Sequence, residues 1–374
     1  MCKTPLHGLL EALPKCEHHL HLEGTLSPEL LFTLAERNQV ALPADAAYAS
    51  PAALRARYAA FTSLDDFLGY YNAGVVVLRT AADFEELAYA YLSRAARTAN
   101  VRHAEVFFDP QAHTARGVAV ATVVAGFHAA ARRAHADHAV SALLVPCLLR
   151  HLPVDDAAAC FDAMLAAGLF SPTGTGTGTG TGSPPLLAGL GLCSTELARP
   201  PSAWAGIFAA AAAQGIRRTA HAGEEGPAAY VAGALDVLGA QRIDHGTHAA
   251  DDLGLLARLA AQRVLVTACP VSNVVLRVSP SLEDTPLRAY LAAGVRFSVN
   301  SDDPAYFGDM YLQEVFCAVQ EAFAFSVDEW ALIARNAIEG SWCGDERKRS
   351  IGRELDKVLE DWRARTEGTV AAAA

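Results

Sequence analysis

The chain has 374 residues, 52% of them hydrophobic, with a formal net charge of −11. That is enough apolar material for a large core, and an α/β barrel of this length can be one domain. The acidic balance argues against broad binding to nucleic acid or anionic membranes. No run of about 18 apolar residues suggests a membrane helix, and the opening MCKTPLHGLLEALPK lacks the basic start and apolar stretch of a secretory signal.

In chain order, short apolar runs at 15–21, 101–108, 140–149, 186–192, 216–221, 242–245, 264–268 and 295–300 read as strands. Their richness in Val, Leu and Ile suits strands buried on both faces of a parallel sheet. Helix starts fall between them. Ser27-Pro28-Glu29 sets an N-cap before a Pro at the first helical position, Ser63 precedes an apolar run, and Ser326-Val327-Asp328-Glu329 is a capping box. The alternation predicts an α/β fold, and eight strands favour a single (β/α)8 TIM-type barrel with extra helices over 1–374. Residues 171–183, SPTGTGTGTGTGS, form a low-complexity insertion too poor in apolar residues to pack. They read as a flexible, disordered surface loop within the domain.

Eight cysteines occur without a C-x-x-C pair, mostly in apolar surroundings. This predicts reduced thiols in an intracellular protein, cytoplasmic with the nucleus as a second location. The oligomeric state stays open.

Four clusters carry chemistry. In Cys16-Glu17-His18-His19-Leu20-His21, residues two apart on a strand share a face, so His19 and His21 project together and could share a metal ion. His18 points away and reads as structural. His221 opens His-Ala-Gly-Glu-Glu-Gly, with Glu224 close enough to move a proton. His245 closes a strand in Ile-Asp-His-Gly, as a general base or a core histidine. Asp302 and Asp303 close another, where one could bind metal while the other faces a ligand, and helix capping explains them equally well. Each cluster follows an expected strand, and barrel enzymes build their sites at that end. Three His and one Asp would make an open zinc shell able to activate water. Lys is absent between positions 15 and 348, which removes the carboxylated-Lys bridge of two-metal barrel hydrolases and leaves one metal as the simpler expectation.

LPKCEHHLHLEGTLSPELLF, HAGEEG, RIDHG, CPVSN and NSDDPAYFG, in this order, resemble the adenosine/adenine deaminase branch of the amidohydrolase superfamily over roughly 13–347. EVFFDPQ at 105–111 is similar to the fungal type of adenine deaminase. The resemblance implies one Zn2+ per chain held by His19, His21, His221 and Asp302. It implies Glu224 as proton donor to the purine N1 with a raised pKa, and His245 as the group that orients or deprotonates the attacking water. Asp303 would bind the imidazole side of a small purine base, and Ser194 would lie near its pyrimidine ring. The reaction would convert adenine to hypoxanthine and ammonia in purine salvage. Phe107 or Phe108 and the Tyr306–Phe307 pair are expected to narrow the pocket against a ribose. The chain departs from the family at its Thr-Gly repeat, at Cys193, where bacterial relatives tend to have Asp, and at Thr285, where many have His. Deamination of adenosine or an N6-substituted adenine is the alternative within the class, and a silent purine-binding or regulatory protein the alternative outside it.

Overall fold

The computed structural model describes residues 4–170 and 186–373, so the Thr-Gly segment at 171–183 lies outside the described residues. Strands β1 (Lys15–Glu17), β2 (Val101–Phe108), β3 (Ser141–Leu149) and β4 (Gly191–Cys193) pair in sequence order. So do β5 (Thr219–Ala222), β6 (Arg242–His245), β7 (Leu265–Ala268) and β8 (Arg296–Val299). Every pairing is parallel. Single parallel bridges complete the circle, Leu190 to Arg218 between β4 and β5 and Leu20 to Asp302 between the extensions of β1 and β8. The eight strands therefore close into the expected barrel.

Two strands, β1 and β4, are less than half as long as their apolar runs. After Glu17 the chain leaves the regular ladder, yet it stays tied to both neighbours. His21 N donates to Asp302 O at 3.1 Å and Leu22 N to Phe107 O at 2.8 Å. Before β4, Leu187, Ala188 and Leu190 donate to three different segments, at Leu169, Leu144 and Arg217, so they are bonded without forming a strand. A buried apolar run reports burial and not the partner of its backbone, which is why both expectations overshot.

The three anticipated caps are present. Ser27 and Ser63 accept from Leu30 N and Asp66 N, at 3.2 and 3.1 Å, and Ser326 and Glu329 form a reciprocal box. Inside the barrel, β2 places His103, Glu105 and Phe107 on one face. Glu105 takes Arg242 at 2.7 Å and His103 at 3.2 Å in a buried ionic layer. Phe107 packs above it with Val145, Cys147, Leu149 and Cys193. Lys15 sits at the opposite end from the strand C-termini, with its ammonium donating to Leu13 O at 3.1 Å.

Candidate active site

The C-terminal ends of β1, β5, β6 and β8 bring the anticipated residues together. His19 Nε2 lies 3.2 Å from Asp302 Oδ1, His21 Nε2 lies 3.2 Å from His221 Nε2, and His21 Nε2 lies 3.7 Å from Asp302 Oδ1. His245 Nε2 stands 3.7 Å from Asp302 Oδ2 and 3.6 Å from Glu224 Oε2. Phe107 forms an apolar floor, its ring 5.1 Å from that of His19 and 5.3 Å from that of His21. His18 faces away, with its ring nitrogens 3.1 Å from Ser298 Oγ and 2.8 Å from Ser341 Oγ.

Two strand ends are bent for this purpose. His245 and Asp302 have φ of 61° and 65°, in the left-handed region that costs a non-glycine residue about 1–2 kcal/mol. The bend breaks the two-residue alternation, so Asp244 and His245 both reach the site, as do Asp302 and Asp303. Glu17 braces the second bend. It accepts from Ser301 N at 3.0 Å and from Tyr91 OH at 2.6 Å.

Asp244 is the group that sequence reasoning passed over. It accepts from Thr219 Oγ1 at 2.6 Å and Thr267 Oγ1 at 2.9 Å. Its two oxygens stand 4.0 Å from His19 Nδ1 and 3.7 Å from His221 Nδ1. The Thr267 hydroxyl, having given its proton to Asp244, accepts from His19 Nδ1 at 3.0 Å. That places the His19 proton on Nδ1 and leaves Nε2 as a bare lone pair. His19 Nε2 is buried without a hydrogen-bond partner, and it faces a carboxylate oxygen. Lone pairs opposed in this way call for a cation between them. Three imidazoles and one carboxylate fit zinc, and among the described residues His19, His21 and His221 form one of the groups able to hold a metal. Asp244→Asn is expected to weaken zinc binding about 10–100-fold, the usual loss when a carboxylate behind a metal histidine is removed. Zinc retention during titration with a chelator measures it, and unchanged retention would show Asp244 to be mere packing.

His245 is set by Asn273, whose oxygen lies 3.0 Å from Nδ1 while its amide nitrogen donates to Thr247 Oγ1 at 2.7 Å. His245 therefore carries a proton on Nδ1 and turns Nε2 toward Glu224 and Asp302. Burial pushes the Glu224 carboxyl up to about 8, with Asp302 adding to the shift. Burial works against the charge on His245, yet Glu224 and Asp302 together raise its pKa.

A cleft of about 390 Å³, its open mouth included, leads to these groups. Its lining includes Leu64, Phe67, Leu68 and Tyr71 of the helix Leu64–Gly74, together with Asp109, Cys193, Ser194 and Asp303. Phe107, Phe108, Tyr306 and Phe307 do not line it, against expectation. Tyr306 instead supports the wall from behind, with its ring 5.4 Å from Phe67 and 5.7 Å from Tyr71. Asp303 Oδ1 is buried without a partner. Gly24 lets it sit there, since an added Cβ would meet that oxygen and lie 2.8 Å from Asp303 Cα. Ser194 holds φ 77°, with its hydroxyl 2.7 Å from His151 Nδ1. Cys193 donates to Asp109 Oδ1 at 3.4 Å. Thr285 donates to Leu282 O at 2.6 Å and is absent from the cleft wall.

The loop bearing Glu224 is tied down by a second missed residue, Glu196. It accepts from Gly223 N at 3.1 Å, Glu225 N at 3.1 Å and Gly226 N at 2.6 Å, and it pairs with buried Arg150 at 3.3 Å.

The fold and this cluster define a (β/α)8 barrel with a candidate metal centre and a buried Glu224–His245 pair at the C-terminal ends of its strands. A family model described as adenosine deaminase matches residues 14–358, and the chain belongs to that family. It is 53% identical over 363 residues to an adenine deaminase of Gibberella zeae, covering 97% of this chain and 99% of the relative. The crystal structure of an adenine deaminase from Arthrobacter aurescens superposes with a TM-score of 0.84 at 44% identity, covering 93% of this chain and 99% of that one. An amidohydrolase from Burkhoderia ambifaria with bound Zn gives a TM-score of 0.82 at 28% identity, covering 97% of this chain and 98% of its own.

Proposed function

We propose that the protein catalyses the zinc-dependent hydrolytic deamination of adenine to hypoxanthine and ammonia, a salvage step for a small purine base. The observation that carries this reading is the convergence of three imidazoles and Asp302 beside a buried Glu224 whose carboxyl is pushed up to about 8. The likeness to adenine deaminases over nearly the full chain favours the free base over the nucleoside.

In this reading His19, His21, His221 and Asp302 would hold one Zn2+ per chain. The metal, when bound, supplies Lewis-acid activation of a water. His245 Nε2 orients that water and takes its proton. Glu224, protonated at neutral pH, donates to the purine N1 as the water attacks C6, so C6 becomes tetrahedral without a full charge building on the ring. Asp303, with its unpartnered oxygen, holds the imidazole side of the base. Ser194 lies against the pyrimidine side. His245 then gives the proton it took to the C6 amino group, which leaves as ammonia, while the new C6 hydroxyl returns its proton to Glu224 and becomes the carbonyl of hypoxanthine. The 1–374 chain works as one barrel domain. Cys16, Cys147, Cys160, Cys193, Cys269 and Cys343 are free thiols, which supports a reducing compartment, cytoplasm or nucleus. Among the described residues, no helix is long and apolar enough to cross a membrane.

The test follows the ultraviolet absorbance of adenine and adenosine in parallel with zinc-loaded protein. Adenine is expected to react at least about tenfold better in kcat/KM, the selectivity a shaped pocket readily supplies. Faster turnover of adenosine would overturn the substrate assignment while leaving the acid–base site intact. Reaction of neither, with zinc bound, would favour a modified adenine or a purine-binding protein.

A further inference from the structure

One buried carboxyl in the cleft has no part in this mechanism. Asp109 follows β2 at the same end of the barrel as the metal-ligand candidates, and it is 3% exposed. Its neighbour Glu23 is engaged by three groups. Glu23 Oε1 lies 2.6 Å from His113 Nε2 and accepts from Asp109 N at 3.2 Å, and its other oxygen accepts from Tyr71 OH at 3.5 Å. Asp109 is less well supplied: Oδ1 receives the Cys193 thiol at 3.4 Å, a weak donor at long range, and its other side-chain hydrogen bond is to Tyr71, a hydroxyl it shares with Glu23. Asp109 therefore keeps acceptor capacity inside a cleft whose other wall, Leu64, Phe67 and Leu68, is apolar.

Its position relative to the reacting atoms gives that capacity a purpose. Glu224 approaches the metal-ligand cluster from the side of His245, at 3.6 Å. Asp109 approaches from the side of His21, with Oδ1 4.0 Å from Nδ1. In a purine, C6 has N1 on one flank and C5, leading into the imidazole ring, on the other. With N1 at Glu224, the five-membered ring is directed toward the His21 side. Asp303, buried and with an unpartnered oxygen, lines the same cleft. A free base carries one imidazole N–H, whereas a 9-substituted purine, nucleosides included, has none.

We propose that Asp109 is a specificity-determining residue that accepts the imidazole N–H of the free base, so that the pocket selects bases over N9-substituted purines. This rests on the deaminase reading above. A site built to hydrogen-bond a substrate N–H leaves its acceptor unpaired when the analogue lacks that hydrogen, and rejects the analogue for that reason.

The experiment compares adenine with 9-methyladenine on the wild type and on Asp109→Ala, with zinc content and melting temperature measured on both. The wild type is expected to favour adenine strongly. Asp109→Ala is expected to lose about 10–100-fold in kcat/KM for adenine, the range for removing one hydrogen bond from a buried polar site. Its rate on 9-methyladenine should hold or rise, so the ratio collapses. An equal loss on both substrates, or an unchanged ratio, overturns the proposal. If Asp109→Ala does not fold, the wild type still decides. Hypoxanthine should inhibit at least about tenfold more tightly than 9-methylhypoxanthine, and equal inhibition overturns the proposal. A wild type that turns over neither adenine nor 9-methyladenine would defeat the deaminase reading itself, a result separate from any change in ratio.

Discussion

Glu224→Gln is expected to cut kcat on adenine by about 10²–10⁴-fold, the range for loss of a positioned general acid. The argument rests on what the substitution keeps. Glu224 is 3% exposed on a loop fixed by Glu196, and Gln has the same shape. It can still accept and donate neutral hydrogen bonds, so the cleft should stay formed and the purine should still enter. What it cannot do is surrender a proton to N1. Burial holds the native carboxyl near 8, so at neutral pH most molecules carry the acid form, and that form is lost as pH rises through the same value. The metal-ligand candidates do not include Glu224, so the variant should retain about one zinc per chain by metal analysis. Retention of more than a tenth of the wild-type kcat would remove Glu224 from the proton-donor role. Loss of zinc would instead place it in the metal shell.

Much of this site was legible because its residues fall at strand ends in short, chemically loaded clusters. His19 and His21 obey the two-residue spacing, and His221 and Glu224 share one turn. The rest was hidden for two physical reasons. The first is that sequence alternation assumes extended backbone. Asp244 precedes His245, so a regular strand would send one of them away from the site. The positive φ at His245 admits both, and no residue type there announces the bend, since neither His nor Asp is glycine. The second is that hydrogen-bond partners are set across the barrel. Asp244 meets Thr219 and Thr267 because β5, β6 and β7 place His221, Asp244 and Thr267 side by side in register. The DHG and CPVSN motifs held Asp244 and Asn273 in plain view, but only the ladder gives them a function. The pocket wall shows the same limit. Phe107 was singled out for its bulk, yet its place on β2 turns it into the barrel beneath His19, and the helix Leu64–Gly74 supplies the apolar wall instead.

Glu196→Ala is expected to destabilise the protein by about 3–5 kcal/mol, the range for removing one partner of a buried ion pair. Arg150 and Glu196 are both fully buried, and the pair sits behind the loop that carries Glu224. Removing the carboxylate takes the acceptor from the N–H groups of Gly223, Glu225 and Gly226 at once, and it leaves the guanidinium with the neutral carbonyls of Arg199 and His221 and the Trp204 ring among the described residues. Glu196→Gln should cost less, because an amide oxygen can still accept from part of the set while its NH2 faces the wrong donors. The loop follows directly on β5, where the carbonyl of His221 receives Arg150, so the loss should spread to the metal-ligand cluster. The expected signature is a lower urea midpoint together with a fall in both zinc retention and kcat, graded from Gln to Ala. A full loss of kcat in Glu196→Ala with the urea midpoint unchanged would contradict a clamp, because it would mean that Glu196 acts on the reaction and not on the loop that presents it.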